Sequence, residues 1–269
     1  MTELMTVMSS RELQTKEKLK KDLNALGIEK GDEIIVHSSL SAIGWVAGGA
    51  QAVVEALLET VTAEGTIVMP AQSADNSDPM YWEAPPVPKE WHQAIRDHYP
   101  AYDPHLSSMR GMGRIAECFH RHPGTIRSMH PAHSFMAWGR KAEDWMSEHP
   151  IDDSFGESSP LGKMMKADVK IVLIGVGFDS CTALHFAEYE QEIWGSYPQG
   201  AAVMKDGKRI WQTFIQADTD SGRFPEIAAA YPGDIKEGQL GQAKTQVVEM
   251  RPLVEFGIRW LEENLGKTD

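Results

Sequence analysis

Val169-Lys170-Ile171-Val172-Leu173-Ile174-Gly175-Val176-Gly177 is followed by Thr182-Ala183-Leu184-His185-Phe186-Ala187-Glu188. A short apolar run closed by glycines reads as a buried strand, and such a strand delivers whatever follows it to the carboxyl edge of a sheet. Thr182, His185 and Glu188 recur at offsets of three, so a helical turn sets hydroxyl, imidazole and carboxylate on roughly one face. Spacing alone supports two readings: an acid–base group gathered in a cleft, or a helix with an incidental surface histidine.

The first third of the chain repeats the pattern. Leu19, Leu23 and Leu26 recur at helical spacing from Thr15 and stop at Gly27. Glu33-Ile34-Ile35-Val36-His37 then reads as a strand, residues 50–61 as a helix and residues 65–70 as a second strand, which predicts parallel pairing with a right-handed crossover. Residues 1–14 lack strong periodicity and are expected to form a flexible N-terminus before a single domain over 15–269. From residue 71 to 109 the composition turns to Pro, Trp, Asp and Tyr, which predicts an inserted, loop-rich binding region. Helices are expected over 113–120, 142–147, 161–166, 227–231 and 250–265, and a strand over 134–139. The turn Lys205-Asp206-Gly207-Lys208 predicts a hairpin over 201–217 placed to extend the sheet. The fold class is α/β, a central mixed sheet flanked by helices.

Composition excludes several functions. The net charge of −13, from 26 basic against 39 acidic residues, disfavours nonspecific binding to nucleic acid or an anionic membrane, since both require clustered cations. It suits a cationic or neutral small partner, and solubility explains it equally well. Cys118 and Cys181 are the only cysteines, and no leader-like apolar run opens the sequence, which predicts a reduced, cytoplasmic protein. No run approaches the roughly 18 apolar residues of a membrane span.

Familiar motifs are incomplete. Ser38-Ser39, between a strand and a helix, is either a helix-start turn or a place where hydroxyls and N–H groups meet an anion. A Walker lysine is lacking, Gly175-x-Gly177 lacks the third glycine of a dinucleotide fingerprint, and neither Gly-x-Ser-x-Gly nor His-Glu-x-x-His occurs. His130 and His133 flank Pro131, which resists continuous helix, so loop packing and ligand contacts are expected there and no metal is.

Taken in order, His37-Ser38-Ser39-Leu40, Pro85-Pro86-Val87-Pro88, Arg110-Gly111-Met112-Gly113-Arg114-Ile115-Ala116-Glu117, Arg127-Ser128-x-His130-Pro131-x-x-Ser134-Phe135, Ser159-Pro160-Leu161-Gly162 and Thr182-x-x-His185-x-x-Glu188 resemble the aminoglycoside 3-N-acetyltransferases. The resemblance covers roughly residues 17–262. It implies transfer of the acetyl group of acetyl-CoA, the one cosubstrate, to the 3-amino group of a 2-deoxystreptamine aminoglycoside, directly and without a metal, conferring antibiotic resistance. His185 is then the general base, Glu188 or another carboxylate brought close by folding its orienter, and Thr182 either a hydrogen-bond donor to the thioester oxygen or a group that positions His185. For acetyl-CoA the resemblance implicates His37, Ser38, Ser39, Leu40, Arg110, Gly111, Met112 and Gly113, with Ser128 and Ser134-Phe135 in the same cleft. His37 has a second reading as a satisfied core histidine.

A polycationic acceptor calls for carboxylates, and Asp75 and Glu117 are expected to provide them ahead of Asp78 and Glu83. Tyr81, Trp82 and Trp91 are expected to form an apolar wall against sugar rings. Ser107-Ser108-Met109 stands where a Thr-Pro-Thr type sequence is expected, and Cys181 where Asn is common, which bears on acceptor choice. The same machinery acting on a non-drug amine is the alternative within enzymes, and a non-catalytic CoA- or aminoglycoside-binding protein the alternative outside them. Monomer and homodimer both fit.

Overall fold

The computed structural model describes residues 3–191 and 195–264. Among the described residues nine strands form: β1 (Glu33–Ser38), β2 (Thr66–Pro70), β3 (Ile126–Arg127), β4 (Phe135–Gly139), β5 (Lys170–Ile174), β6 (Ser196–Lys205), β7 (Lys208–Ala217), β8 (Lys236–Leu240) and β9 (Ala243–Glu249). Seven of them make one mixed sheet in the order β3-β4-β2-β1-β5-β9-β8. β1 pairs in parallel with β2 on one side and β5 on the other, while the flanking β4, β9 and β8 pair antiparallel.

Alternation along the central strands builds a core on each face. Ile34 and Val36 of β1, Val172 and Ile174 of β5, and Ile67 and Met69 of β2 pack with Leu19, Leu23, Val53, Leu57 and Phe119. Ile35, Ile171, Leu173 and Val68 point the other way, into Phe135, Trp145, Leu161, Leu184 and Leu253. The helices Lys16–Ala25 and Gly49–Val61 cover the first face with Arg114–His120. Pro160–Ala167 and Met250–Asn264 serve the second face. Asp32 and Lys170 pair at 2.7 Å beside the starts of β1 and β5.

Three expectations are corrected. Residues Glu3–Ser9 form a helix with no buried side chain, and Gln14 is fully buried in a parallel bridge to Val46, so the chain is anchored before Thr15. Ser10 Oγ contributes by accepting from the Trp45 N–H at 2.6 Å. The hairpin forms as expected about Asp206 and Gly207, both at positive φ, but β6 and β7 make a separate two-stranded sheet. It packs instead on the 71–109 region: the Tyr102 N–H donates to the Ala202 carbonyl at 2.8 Å, and Arg209 Nε to the Tyr99 carbonyl at 3.1 Å. That region, expected to be loop-rich, also contains a helix, His92–His98, that the sequence did not announce. The predicted end of the last helix, Leu265, lies outside the described residues.

β1, β2 and β5 end together at His37-Ser38, Pro70 and Ile174-Gly175. The chain goes from β1 to a neighbour on one side and returns to β5 on the other, so a crevice opens at their carboxyl ends. Gly175, just past the end of β5, packs against Ala42 of the short helix Leu40–Ile43. Its φ is +65°, and an added Cβ would lie 2.3 Å from Ala42 Cβ, behind the Ser38–Leu40 turn. The substitution Gly175→Ala is expected to cost about 1–3 kcal/mol of stability through strain and overpacking. Urea unfolding should show it as a lower midpoint at unchanged slope.

Candidate active site

His185 opens the short helix His185–Tyr189, directly after the 3-10 turn Thr182–Leu184. One turn on, Glu188 Oε2 accepts from His185 Nδ1 at 2.5 Å, and its Oε1 accepts from the Asp220 backbone N–H at 2.8 Å. Glu188 is almost fully buried, so both carboxylate oxygens are committed and the imidazole has a fixed orienter. The Phe155 ring stacks on His185 at 4.8 Å between centroids, and Phe224 meets it edge-on at 4.9 Å. With Nδ1 held by the carboxylate, Nε2 is the free nitrogen of an imidazole that lines the crevice.

Two adjoining cavities make up the crevice, sharing Gln72 and Met112. The first, of about 320 Å³, lies at the strand ends and is lined by His37, Ser38, Gly111, Thr182 and His185 among others. Asp179, Ser180 and Ser221 also face it, and no motif in the sequence marks them. His37 is buried and its Nε2 has no partner; burial, then the neighbouring His185, push its pKa down to about 3, so it stands there neutral. The satisfied-core reading of His37 therefore fails. The second cavity, of about 580 Å³, is walled by Tyr81, Trp82 and Tyr99 from the 71–109 region and by Tyr197 and Gln199 from β6. Tyr81 meets Tyr197 edge-on at 4.9 Å and Trp82 meets Tyr99 at 5.9 Å, so hairpin and insertion share one aromatic wall.

Beneath the second cavity lies a buried polar layer. Arg127 donates to Ser134 Oγ (2.9 Å), Ser73 Oγ (2.5 Å) and the carbonyls of Ala71 and Ser107 (both 2.7 Å), with Tyr102 5.2 Å from the guanidinium. Burial lowers its pKa, and among the described residues no carboxylate pairs with it; carbonyls and hydroxyls hold the charge. Beside it the His130 Nδ1 accepts from the N–H groups of Ala132 (3.2 Å) and His133 (2.9 Å). The His149 Nε2 donates to the Ser154 carbonyl at 2.9 Å, while its Nδ1 accepts from Ser128 Oγ at 2.9 Å. Burial drives the pKa of His149 down to about 4 and that of His130 well below the usual imidazole value.

A family model for aminoglycoside 3-N-acetyltransferases matches residues 35–262. The chain is 41% identical over 257 residues to the SPbeta prophage-derived aminoglycoside N(3')-acetyltransferase-like protein YokD of Bacillus subtilis, spanning 94% of each. It belongs to the aminoglycoside 3-N-acetyltransferase family. The YokD crystal structure superposes with a TM-score of 0.96 at 40% identity, covering 99% of this chain and 100% of that one. Aminoglycoside N(3)-acetyltransferase VIII of Streptomyces fradiae is 36% identical over 94% of this chain and 93% of its own. The structure titled AAC-IIIb binary with CoASH has a TM-score of 0.84 and 30% identity, covering 96% of this chain and 100% of that one.

Several of the residues singled out by the family resemblance come together. Thr182, His185, His37, Ser38, Gly111 and Met112 line the first cavity, and Glu188 stands behind His185. Ser39 and Leu40 do not line it; they begin the turn behind, where the Ser39 N–H donates to the Ile174 carbonyl at 2.9 Å. Gly113, at φ +88°, starts the helix Arg114–His120 with its Cβ position 3.9 Å from the Ser38 carbonyl. Ser128 and Ser134, expected in the cleft, are wholly buried in the polar layer, and Phe135 is core.

The acidic residues are arranged differently from expectation. Asp75 lines the second cavity, but its carboxylate is held by Arg110, with Nη2 to Oδ1 at 2.5 Å and Nε to Oδ2 at 3.3 Å. Arg110 also donates to the Ala84 carbonyl at 2.9 Å, so it belongs to the wall of the second cavity. Asp78 is similarly committed to Arg96, which meets both carboxylate oxygens at 2.8 and 2.9 Å. Glu117 lines neither cavity; it sits in a separate surface depression with His105, His120 and Arg121. Glu83 does line the second cavity, and no ion pair to it occurs among the described residues. Trp91 stands away from the aromatic wall, exposed, and Met109 is core.

Arg127 ties four segments of the cavity floor together, a task for a planar fork. The substitution Arg127→Lys, with three donors for four acceptors, is expected to leave at least one of them without its donor and to lower stability by about 2–4 kcal/mol. Thermal unfolding followed by circular dichroism measures the loss.

Proposed function

We propose that the chain is an acetyl-CoA-dependent aminoglycoside N-acetyltransferase in which His185 acts as general base for direct transfer. The observation that carries the reading is the Glu188–His185 pair at the rim of a two-part crevice. Binding alone has no need of an imidazole oriented by a buried carboxylate; proton transfer does. The CoASH-bound relative supports assigning the cosubstrate to this cleft. The residues present suit the pantetheine end: Ser38 and Thr182 hydroxyls, an unpartnered neutral His37, and Gly111, whose Cβ position has no atom within 4 Å.

The neutral acceptor amine attacks the thioester carbonyl carbon with its nitrogen lone pair, and His185 takes the proton that the nitrogen sheds as the C–N bond forms. Thr182 donates a hydrogen bond to the carbonyl oxygen as negative charge builds on it. The C–S bond breaks, the new C–N bond remains as an amide, and CoA leaves as the thiol with the proton returned through His185. Glu188 does not change protonation; fixed by the Asp220 N–H, it stabilises the imidazolium during the step.

The second cavity receives the acceptor, with aromatic rings against apolar sugar faces; Glu83 in its wall and Asp179 in the adjoining first cavity are carboxylates without ion pairs among the described residues. A second reading, the same chemistry on a less cationic amine, is favoured by the commitment of Asp75 to Arg110. An acceptor panel with acetyl-CoA and thiol detection separates the two. Release of CoA with gentamicin-, kanamycin- or neomycin-type amines supports the first reading; release only with a non-drug amine supports the second.

The variant His185→Ala is expected to lower turnover by about 100-fold or more, the usual scale of a general base, with CoA binding retained in calorimetry. Near-normal turnover would remove His185 from its role. Glu188→Gln should depress kcat at little change in the KM for acetyl-CoA.

A further inference from the structure

Ser154 lies almost fully buried at the centre of the polar layer, and its hydroxyl oxygen meets three partners: His130 Nε2 at 2.9 Å, His133 Nδ1 at 3.0 Å and Gln216 Oε1 at 3.0 Å. One hydroxyl proton and two lone pairs must serve them. His130 is decided first, because two backbone N–H groups already donate to its Nδ1; its Nε2 carries the proton and faces both Ser154 Oγ at 2.9 Å and the Ile151 carbonyl at 3.2 Å, so Ser154 cannot donate to it. Gln216 is decided by its nitrogen, which donates to Tyr189 Oη at 2.7 Å and to the Ala217 carbonyl at 3.3 Å. A flipped amide would set oxygen against that carbonyl, so Oε1 faces Ser154 and accepts its only proton. Were Ser154 to donate to His133 instead, two oxygens would meet at 3.0 Å without a hydrogen between them.

His133 is therefore the Nδ1–H tautomer, and its Nε2 is a bare lone pair. Among the described residues that nitrogen has no hydrogen-bond partner, while the ring lines the second cavity and packs on Phe155, which in turn stacks on His185. Burial, with His185 and His149 nearby, holds the His133 pKa down to about 3, so the lone pair persists at neutral pH.

We propose that His133 Nε2 is a dedicated hydrogen-bond acceptor for an N–H or O–H group of the acceptor substrate, and that Ser154 and Gln216 are positioning residues that fix its tautomer. The kinetic part rests on reading the second cavity as the acceptor site. The tautomer itself stands independently of it.

Imidazole ¹⁵N NMR of the unliganded full-length protein, with His133 assigned from a His133→Ala spectrum, should show protonated Nδ1 and bare Nε2 at pH 7. Protonated Nε2 or an imidazolium overturns the assignment whether or not any amine is acetylated. The variant Gln216→Leu frees the Ser154 proton to turn toward His133 Nδ1, so the tautomer should flip. With an accepted amine, His133→Ala and Gln216→Leu should each raise the amine KM about tenfold, the scale of one lost hydrogen bond, leaving kcat and the KM for acetyl-CoA within about threefold. An unchanged amine KM in His133→Ala, or a flipped tautomer with unchanged KM in Gln216→Leu, overturns the recognition role. If Gln216→Leu does not fold, the wild-type spectrum and His133→Ala kinetics still decide.

Discussion

β2, β1 and β5 are buried on both faces, so helices occupy every direction from which a ligand could approach except the strand ends. Everything chemical is therefore gathered at one edge. His37-Ser38 arrive there on β1, Pro70 on β2, and the turn bearing Thr182 and His185 follows β5. The glycine that ends β5 lets the Ser38–Leu40 turn close against it. The rigidity of the sheet becomes the rigidity of the His185–Glu188 pair, whose carboxylate is tethered again by the Asp220 backbone.

The second cavity is built on another plan. The 71–109 region and the β6–β7 hairpin have little apolar core between them and are joined by polar contacts: the Asp78 N–H to Gln199, Arg209 to the Tyr99 carbonyl, and Arg110 to Asp75. Their floor is a buried layer in which Arg127, His130 and His149 find their partners among carbonyls, hydroxyls and backbone N–H groups. Such a layer is costly when one partner is missing and specific when all are present. It allows a cavity wall to expose a nitrogen lone pair of fixed identity next to aromatic rings. The strongly acidic net charge finds only a small echo here, because Asp75 and Asp78 are neutralised by arginines.

How much could be read in the chain depended on how local the physical cause was. Buried parallel strands and the helices over 16–25, 49–61 and 250–264 carry their own periodicity and were legible. β8 and β9 were not expected: β8 is mostly exposed, and its Lys-Glu-Gly-Gln run gives no apolar alternation. The hairpin was legible from Asp206-Gly207, but its failure to join the main sheet was not, since β8 and β9 already occupy that flank. The N-terminal residues looked unstructured because Gln14 is buried by a partner thirty positions away, Val46, rather than by a pattern of its own.

The active-site pair was visible because one helical turn is a local ruler: His185 and Glu188, three apart, meet wherever that turn forms. Sequence alone thus determined the α/β class, the strand that feeds the site and the chemistry available at it. Only tertiary structure decided that Glu188 turns both oxygens inward, that Arg110 spends itself on Asp75, that Glu117 faces elsewhere, and that His133, Ser154 and Gln216 share one hydroxyl. Those partners are separated by tens of residues, and proton positions among them follow from counting donors and acceptors in space, which a linear order of residues does not contain.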